Sequence, residues 1–530
     1  MKRTTRHVFL FIALLTAELV YGVDRILPAN SDASAEATAL LEVLYTLSGH
    51  YTLTGQHNYP NTRDRNSQFA AEYIGKTPVI WSSDWGHAKE GDSDSYLARP
   101  DIVDEAIRQH QLGSLVTICW HAVPPTADEP ITFRQLPGSS PDSLASVQGQ
   151  LLDRQFRDIL TPGTKLHRRW CAQVDSVAVY LKKLQDAHVP VLWRPYHEMN
   201  GNWFWWCGRI GEYSTKALYR QLFDRLVHHH KLNNLVWVWS VDRPIRPEMQ
   251  FSYFYPGNDY LDILALDVYG SDFNQEYYDS LMALSNGKPI VLGEVGNPPT
   301  LEVLDNQPNW AFYVTWAGMV RNTSKKQYDI LMNDPRILSK EDPEYLKIIA
   351  PYRSKCGLSP LLAGNDGQKS DSEKSFATPV VNQCLTSGQY ICNGKWIFNE
   401  EKSILGGSGA SNLPFRLEIC GNSAEIKILR TTILEFADDR ITEEILTLDG
   451  SENHSVFWDV PKITTANFSE RGDTLFINSK VNLTRDNRIM EMITNETWTI
   501  HEQGKELHVQ QYSNSFWGEQ TITMVYDSEQ

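Results

Sequence analysis

Two glutamates in this chain stand where an acid and a nucleophile could work as a pair. Glu198 lies in RPYHEMNGNWFWW, residues 194–206, where Tyr196, Trp203, Phe204, Trp205 and Trp206 crowd one carboxylate. Glu294 lies in PIVLGEVG, residues 289–296. Each follows an apolar run, so each falls near the C-terminal end of an expected strand. Two carboxylates across a cleft supply what glycosidic hydrolysis needs. One is protonated and donates to the leaving oxygen; the other is ionised and attacks or stabilises the anomeric carbon. Indole rings offer flat apolar faces to sugar C–H groups, and by excluding water they raise the pKa of an adjacent carboxyl. A lone strand-end glutamate is more often a cap or an ion-pair partner, and aromatic runs are more often core. Here both features coincide in one segment, and a second acid occupies an equivalent position.

The two acids are 96 residues apart, so the fold must bring them together. Eight strand-like apolar runs occur at 51–56, 78–81, 114–120, 190–196, 235–240, 263–269, 289–294 and 311–316. Plausible helices separate them; in 215–232, for example, Leu218, Leu222, Leu226 and Val227 share one face. This alternation predicts an α/β fold, a (β/α)8 TIM barrel, in which strand ends form the catalytic rim. A doubly wound open sheet competes, but its Gly-rich nucleotide loop is missing. From about 385 onward the pattern changes to short alternating strands, marked by Leu417/Ile419, Ile426/Ile428, Leu475/Ile477, Trp498/Ile500, Leu507/Val509 and Ile522/Met524/Tyr526. EQGK at 502–505 reads as a hairpin turn. An antiparallel β-barrel or sandwich is expected, with Trp396, Trp458, Trp498 and Trp517 either in its core or on a glycan-holding face. The polar stretch 363–379 is the linker candidate. The expected domains are thus a leader at 1–22, a barrel at 23–360, a linker at 361–384 and a β domain at 385–530.

The formal net charge of −16 disfavours nucleic acid, which needs a basic face, and suits a neutral polymer such as a polysaccharide. Lys2, Arg3 and Arg6 precede an apolar run at 8–19, and Tyr21 and Gly22 precede an expected cut before Val23. This reads as a secretory signal, too short for a membrane span, so the mature chain is expected to be exported or periplasmic and monomeric. Seven cysteines leave at least one unpaired in a monomer; Cys384 and Cys392 are close enough for a local bridge. No CxxC, HExxH or phosphate loop is present, so no metal and no cofactor is expected. The triplet at 228–230, HHH, reads as a solvated helix end, and RGD at 471–473 as a turn.

WRPYHEMNGNWFWW resembles the acid/base motif of glycoside hydrolase family 26, whose best-known members are endo-β-1,4-mannanases, and VLGEVG resembles its nucleophile motif. ICWHAVPP at 118–125, TGQHN at 54–58 and LALDVYG at 264–270 are similar to other strand-end motifs of that family. The resemblance covers roughly residues 35–350. It implies a (β/α)8 barrel that cleaves β-mannosidic bonds with retention, with Glu198 as acid/base and Glu294 as nucleophile, their carboxyls about 5–5.5 Å apart. It further implies that His197 tunes the site, Trp203 stacks on sugar and Tyr269 holds the nucleophile. Asp267, Arg194, Asn200, His121, Trp120 and Trp316 are implied as cleft residues. Cys207 and the pair Pro298-Pro299 depart from the motif pattern. The alternatives are the same machinery on a β-1,3-xylan or mixed-linkage glucan, or a mannan-binding protein without turnover. NGKWIFNEEKS at 393–403 and the segment 497–527 resemble exported lipocalin-like barrels, which would make the second domain a carrier.

Overall fold

The computed structural model describes residues 28–88, 97–135, 140–361, 392–405, 413–432, 440–457, 460–485, 488–515 and 518–529. The expected leader, the linker stretch 363–379, Cys384, Trp458 and Trp517 lie outside the described residues.

All eight expected strands of the first domain form. They are β1 (Gly55–His57), β2 (Ile80–Asp84), β3 (Leu115–Trp120), β4 (Val191–Pro195), β5 (Leu235–Asp242), β6 (Ile263–Val268), β7 (Ile290–Val295) and β8 (Trp310–Thr315). Each pairs in parallel with the next, and β8 closes the ring on β1 through Gln56 and Thr315. The expected strand at 51–56 is two pieces: Thr52–Leu53 turns to pair with Ile337–Leu338 before β1 begins. Every position of the eight strands is buried, which explains their near-continuous apolar runs.

Helices cover the outside. In Lys165–Asp186 the Thr164 hydroxyl caps the His167 N–H, and Trp170, Val174, Val177, Leu181 and Leu184 form the buried stripe. The helix expected at 215–232 is α-helical at Thr215–Phe223 and continues as a π turn at Asp224–His229. The helices Ala35–Leu47 and Pro343–Lys355 join one apolar cluster with Val79, Leu115 and Ile263 from the strand starts. That end of the barrel is therefore apolar, and the polar side chains collect at the other. No helix among the described residues is long and apolar enough to cross a membrane.

The second domain is a single antiparallel sheet. Its strands are β9 (Gly394–Ile404), β10 (Arg416–Gly421), β11 (Glu425–Thr432), β12 (Arg440–Thr447), β13 (Asn453–Phe457), β14 (Val460–Phe468), β15 (Thr474–Arg485), β16 (Arg488–His501), β17 (Glu506–Ser515) and β18 (Gly518–Ser528). The spatial order is β12-β11-β10-β9-β18-β17-β16-β15-β14-β13. That is two strands more than the eight of a lipocalin. The end strand β12 meets the other end of this order through side chains: Asn453 of β13 accepts from the Thr447 N–H at 3.1 Å, and Lys462 of β14 pairs with Glu444 of β12. The sheet thus curls into a barrel-like form. Its alternating residues Leu417, Ile419, Ile428, Leu475, Ile477, Leu507, Val509 and Met524 are buried together, as the sequence pattern requires. Trp396 and Trp498 join that core, which removes them as a glycan face. The turn at Glu502–Gly504 links β16 to β17. Cys392 is a free thiol while Cys420 is disulfide-bonded.

Candidate active site

Each of the eight strands sends a polar or aromatic residue to the same rim. His57 ends β1 and Asp84 ends β2; His121 follows β3; Glu198 lies just past β4; Asp242 ends β5. Asp267 and Tyr269 come from β6, Glu294 from β7, and Trp316 follows β8. Carboxylate oxygens of Glu198, Asp267 and Glu294 lie within 4.8 Å of one another.

Glu294 is 3 % exposed and is held from three sides. Arg194 Nη2 donates to its Oε1, the Tyr269 hydroxyl donates to Oε2 at 2.6 Å, and His197 Nε2 lies 3.8 Å from Oε1. Arg194 also donates to Asp267 Oδ2 at 3.1 Å, and Asp267 accepts from Ser240. The buried guanidinium therefore bridges two carboxylates through charge-assisted hydrogen bonds. Asp267 can reach this position because residue 293 is glycine: a Cβ there would meet Asp267 Oδ1 at 2.6 Å. Enclosure, then the charges of Glu294 and Glu198, hold the Tyr269 hydroxyl far above the usual phenol range, so it remains a donor.

Glu198 sits in a different environment. Burial pushes its carboxyl well above the usual range, and the negative charges of Glu294, Asp267 and Asp242 push it further. Its one side-chain donor is Trp203, whose Nε1 meets Oε2 at 2.5 Å. A carboxyl raised by burial beside a second one held by a guanidinium and a phenol is an arrangement suited to one acid and one nucleophile.

The backbone around Glu198 is strained. Tyr196 and Glu198 both have φ of 50°, a left-handed conformation that costs a non-glycine residue about 1–3 kcal/mol. Local bonds hold it there: Gly201 N–H and the Cys207 thiol both donate to Glu198 O, at 2.9 and 3.1 Å, and Trp206 Nε1 donates to His197 O at 2.9 Å. Cys207, the departure from the expected pattern, is thus a buried anchor of this turn.

Most of the surrounding rings are not sugar platforms. Tyr196, Phe204, Trp205 and Trp206 are buried, and Trp203 alone among the five is partly exposed. Trp120, expected in the cleft, is 2 % exposed and packs against Trp193 and Tyr196 in the core. Asn200 is likewise turned inward: it donates to Asp242 O and Met249 O and accepts from the Asp242 N–H, pinning one loop to the next. Asp267 is fully buried beneath Arg194 rather than lining the cleft. Trp316 stacks on His57 with ring centroids 3.8 Å apart.

The sequence reading did not single out His57, Asp84 or Asp242. Asp84 accepts from His121 Nδ1 at 2.6 Å and from the Cys119 thiol at 3.0 Å. Although burial opposes it, the charge of His121 holds the Asp84 carboxyl well below the usual range. The His121 ring then meets His197 edge-on at 4.4 Å, giving a chain from Asp84 through two imidazoles to Glu294. Burial, then the charges of His121 and Arg194, hold His197 neutral. The signal for Asp84 and Asp242 was present: each is an acid at the end of an apolar strand. Donor atoms of Asp84, Cys119 and His121, and of Asp175, His229 and His230, also cluster. The first group is satisfied by internal hydrogen bonds, and Arg225 already neutralises Asp175 at 2.6 Å.

A closed parallel barrel whose strand ends gather a carboxyl raised by burial and a guanidinium-held carboxylate has the arrangement of the glycoside hydrolase class. More specifically, the chain belongs to glycosyl hydrolase family 26, whose family model matches residues 29–342. A mannan endo-1,4-β-mannosidase of Thermothelomyces thermophilus is 30% identical over 323 residues, 58% of this chain and 59% of the relative. One from Bacillus subtilis strain 168 is 38% identical over 209 residues, 35% of this chain and 55% of the relative. The chain thus spans little more than half the length of these relatives. Among solved structures, GH26A from Muricauda sp. MAR_2010_75 is 40% identical with a TM-score of 0.54, covering 59% of this chain and 98% of that one.

Proposed function

We propose that the protein is a retaining glycoside hydrolase that cleaves internal β-1,4-mannosidic bonds of mannans, with Glu198 as acid/base and Glu294 as nucleophile. The observation that carries this reading is the approach of the two carboxyls within 4.8 Å. Retaining enzymes keep their carboxyls about 5–5.5 Å apart, whereas inverting ones leave about 6.5–9.5 Å for a water. The mannan specificity is supported by the names of the relatives.

In the first step Glu294 attacks the anomeric carbon as the bond to the leaving oxygen breaks, and Glu198 gives that oxygen its proton. Arg194 and Tyr269 hold the two oxygens of Glu294 so that one is aimed at the sugar ring. Neutral His197 packs beside Glu294 without adding a competing full charge. In the second step Glu198, now ionised, takes a proton from water as that water opens the glycosyl ester. Trp203 offers a partly exposed ring for a sugar face. Export under the leader at 1–22 belongs to the same reading, and N-terminal sequencing of the mature chain tests it.

The test is product analysis on galactomannan, glucomannan, xylan and β-glucan. Short manno-oligosaccharides from the first two, with the β-anomer formed first, are expected. Products from xylan or β-glucan alone would move the specificity elsewhere, and no reducing ends from any polymer would leave a binding protein.

A further inference from the structure

The second domain holds a cavity of about 400 Å³ lined by residues of strands β11 to β18. One part of its wall is apolar, formed by Ile477, Val481, Met492 and Met524. The other carries six charged side chains, Arg430, Arg440, Glu443, Glu444, Lys462 and Glu496, four of which are bonded to one another. Arg430 donates to Glu496 Oε2 at 2.8 Å and to Glu444 Oε2 at 3.3 Å, and Lys462 pairs with the other oxygen of Glu444. Trp498 Nε1 also donates to Glu496 Oε2, and its ring lies 5.2 Å from the Arg430 guanidinium.

We infer that this cavity is a binding site for a neutral, hydroxyl-rich ligand of mono- or disaccharide size. The three basic and three acidic groups of the lining balance, so an ion of either sign would add uncompensated charge to a neutral site. A fatty chain would strip water from these six ionised groups with nothing to replace it. A sugar meets both demands. Each hydroxyl donates to a carboxylate and accepts from a guanidinium or ammonium N–H, while the C–H face of the ring lies on the methionine and isoleucine wall. Thr494, Ser479 and Gln511 add uncharged polar groups between the two halves. The domain is in this reading a saccharide holder rather than a lipid carrier, and the inference stands whichever polymer the barrel cleaves.

The full chain carrying Glu294→Gln, so that no probe is consumed, is titrated calorimetrically with β-1,4-mannobiose, cellobiose and xylobiose. The same titrations follow on Ser479→Met, which fills the cavity without touching its ions, and on Glu496→Gln, which keeps the shape but removes one charge. At least one disaccharide is expected to show a binding event that both changes weaken by about tenfold or more. Trp203→Ala, in the barrel cleft, should leave that event in place; loss of cleft binding alone would count against the proposed activity and not against this cavity. Unchanged isotherms in folded Glu496→Gln protein, or no binding event outside the cleft, would overturn the inference. So would displacement of a fluorescent fatty acid by none of the sugars but by unlabelled fatty acid.

Discussion

The Trp203 indole N–H and the Glu198 carboxylate meet at 2.5 Å, and the same ring lies so close to Gly201 that a Cβ there would sit 2.5 Å from it. The glycine lets the indole fold back over the turn; among the described residues the indole then supplies the one side-chain hydrogen bond that favours the ionised form of Glu198.

This contact fixes a pH dependence. The acid step needs protonated Glu198, so activity falls as pH rises through its elevated pKa. Trp203→Phe removes the one donor that stabilises the carboxylate, so the alkaline limb of kcat/KM should move to higher pH while kcat falls. A limb that stays in place would assign it to another group.

The same elevation links pH to stability. The folded pKa of Glu198 lies above its unfolded value. The group's contribution to stability is therefore fully present below the unfolded pKa, near 4.3, and is lost as pH rises through the folded one. Glu198→Gln carries no such titration, so melting curves of mutant and parent should diverge in the mutant's favour toward alkaline pH.

The two glutamates should fail in different ways. Glu294→Ala should abolish turnover on any substrate. Glu198→Ala should lower polysaccharide hydrolysis by about 10²–10⁴-fold, yet still form the glycosyl ester from an aryl glycoside with a good leaving group. Mass spectrometry of the trapped chain at residue 294 reads that difference.

Tyr269→Phe deletes the hydroxyl that donates to Glu294 Oε2. A hydrogen bond to a charged group is worth about 1.5–3 kcal/mol, so a loss of roughly 10- to 150-fold is expected. The effect should appear in kcat more than KM, because the phenol touches the nucleophile and not the distant sugar units.

Gly293→Ala tests the packing under the site. The added methyl would meet Asp267 Oδ1 at 2.6 Å and Ala265 Cβ at 3.2 Å. Overpacking of this kind costs about 1–3 kcal/mol, so the melting midpoint should drop and activity should fall with the displaced Asp267–Arg194 pair.

The barrel was legible because its strands are buried on both faces and read as apolar runs, and because acids at the ends of two runs stood out. What each ring does was not legible. Trp203, Trp205 and Trp206 lie within four positions in an irregular turn, where no period says which points outward. Only the close packing of Phe204 on Trp206, at 4.5 Å, shows that the hydrophobic core reaches this far up the barrel. Asp84 was hidden for a different reason: its meaning comes from His121, 37 residues later on the neighbouring strand. In the second domain the alternation announced the strands. The cluster of Arg430, Glu444, Lys462 and Glu496 was invisible, because its members sit on separate strands and look like ordinary surface charges one at a time.

The left-handed turn at Tyr196 and Glu198 sets the order in which this molecule fails on warming. Tension is stored in a few peptide units and restrained by a thiol, an indole and one amide. Once those restraints loosen, the segment recoils and carries the proton donor away from its partner while the cylinder of strands beneath it is still intact. Heat should therefore silence the enzyme some degrees before it melts it.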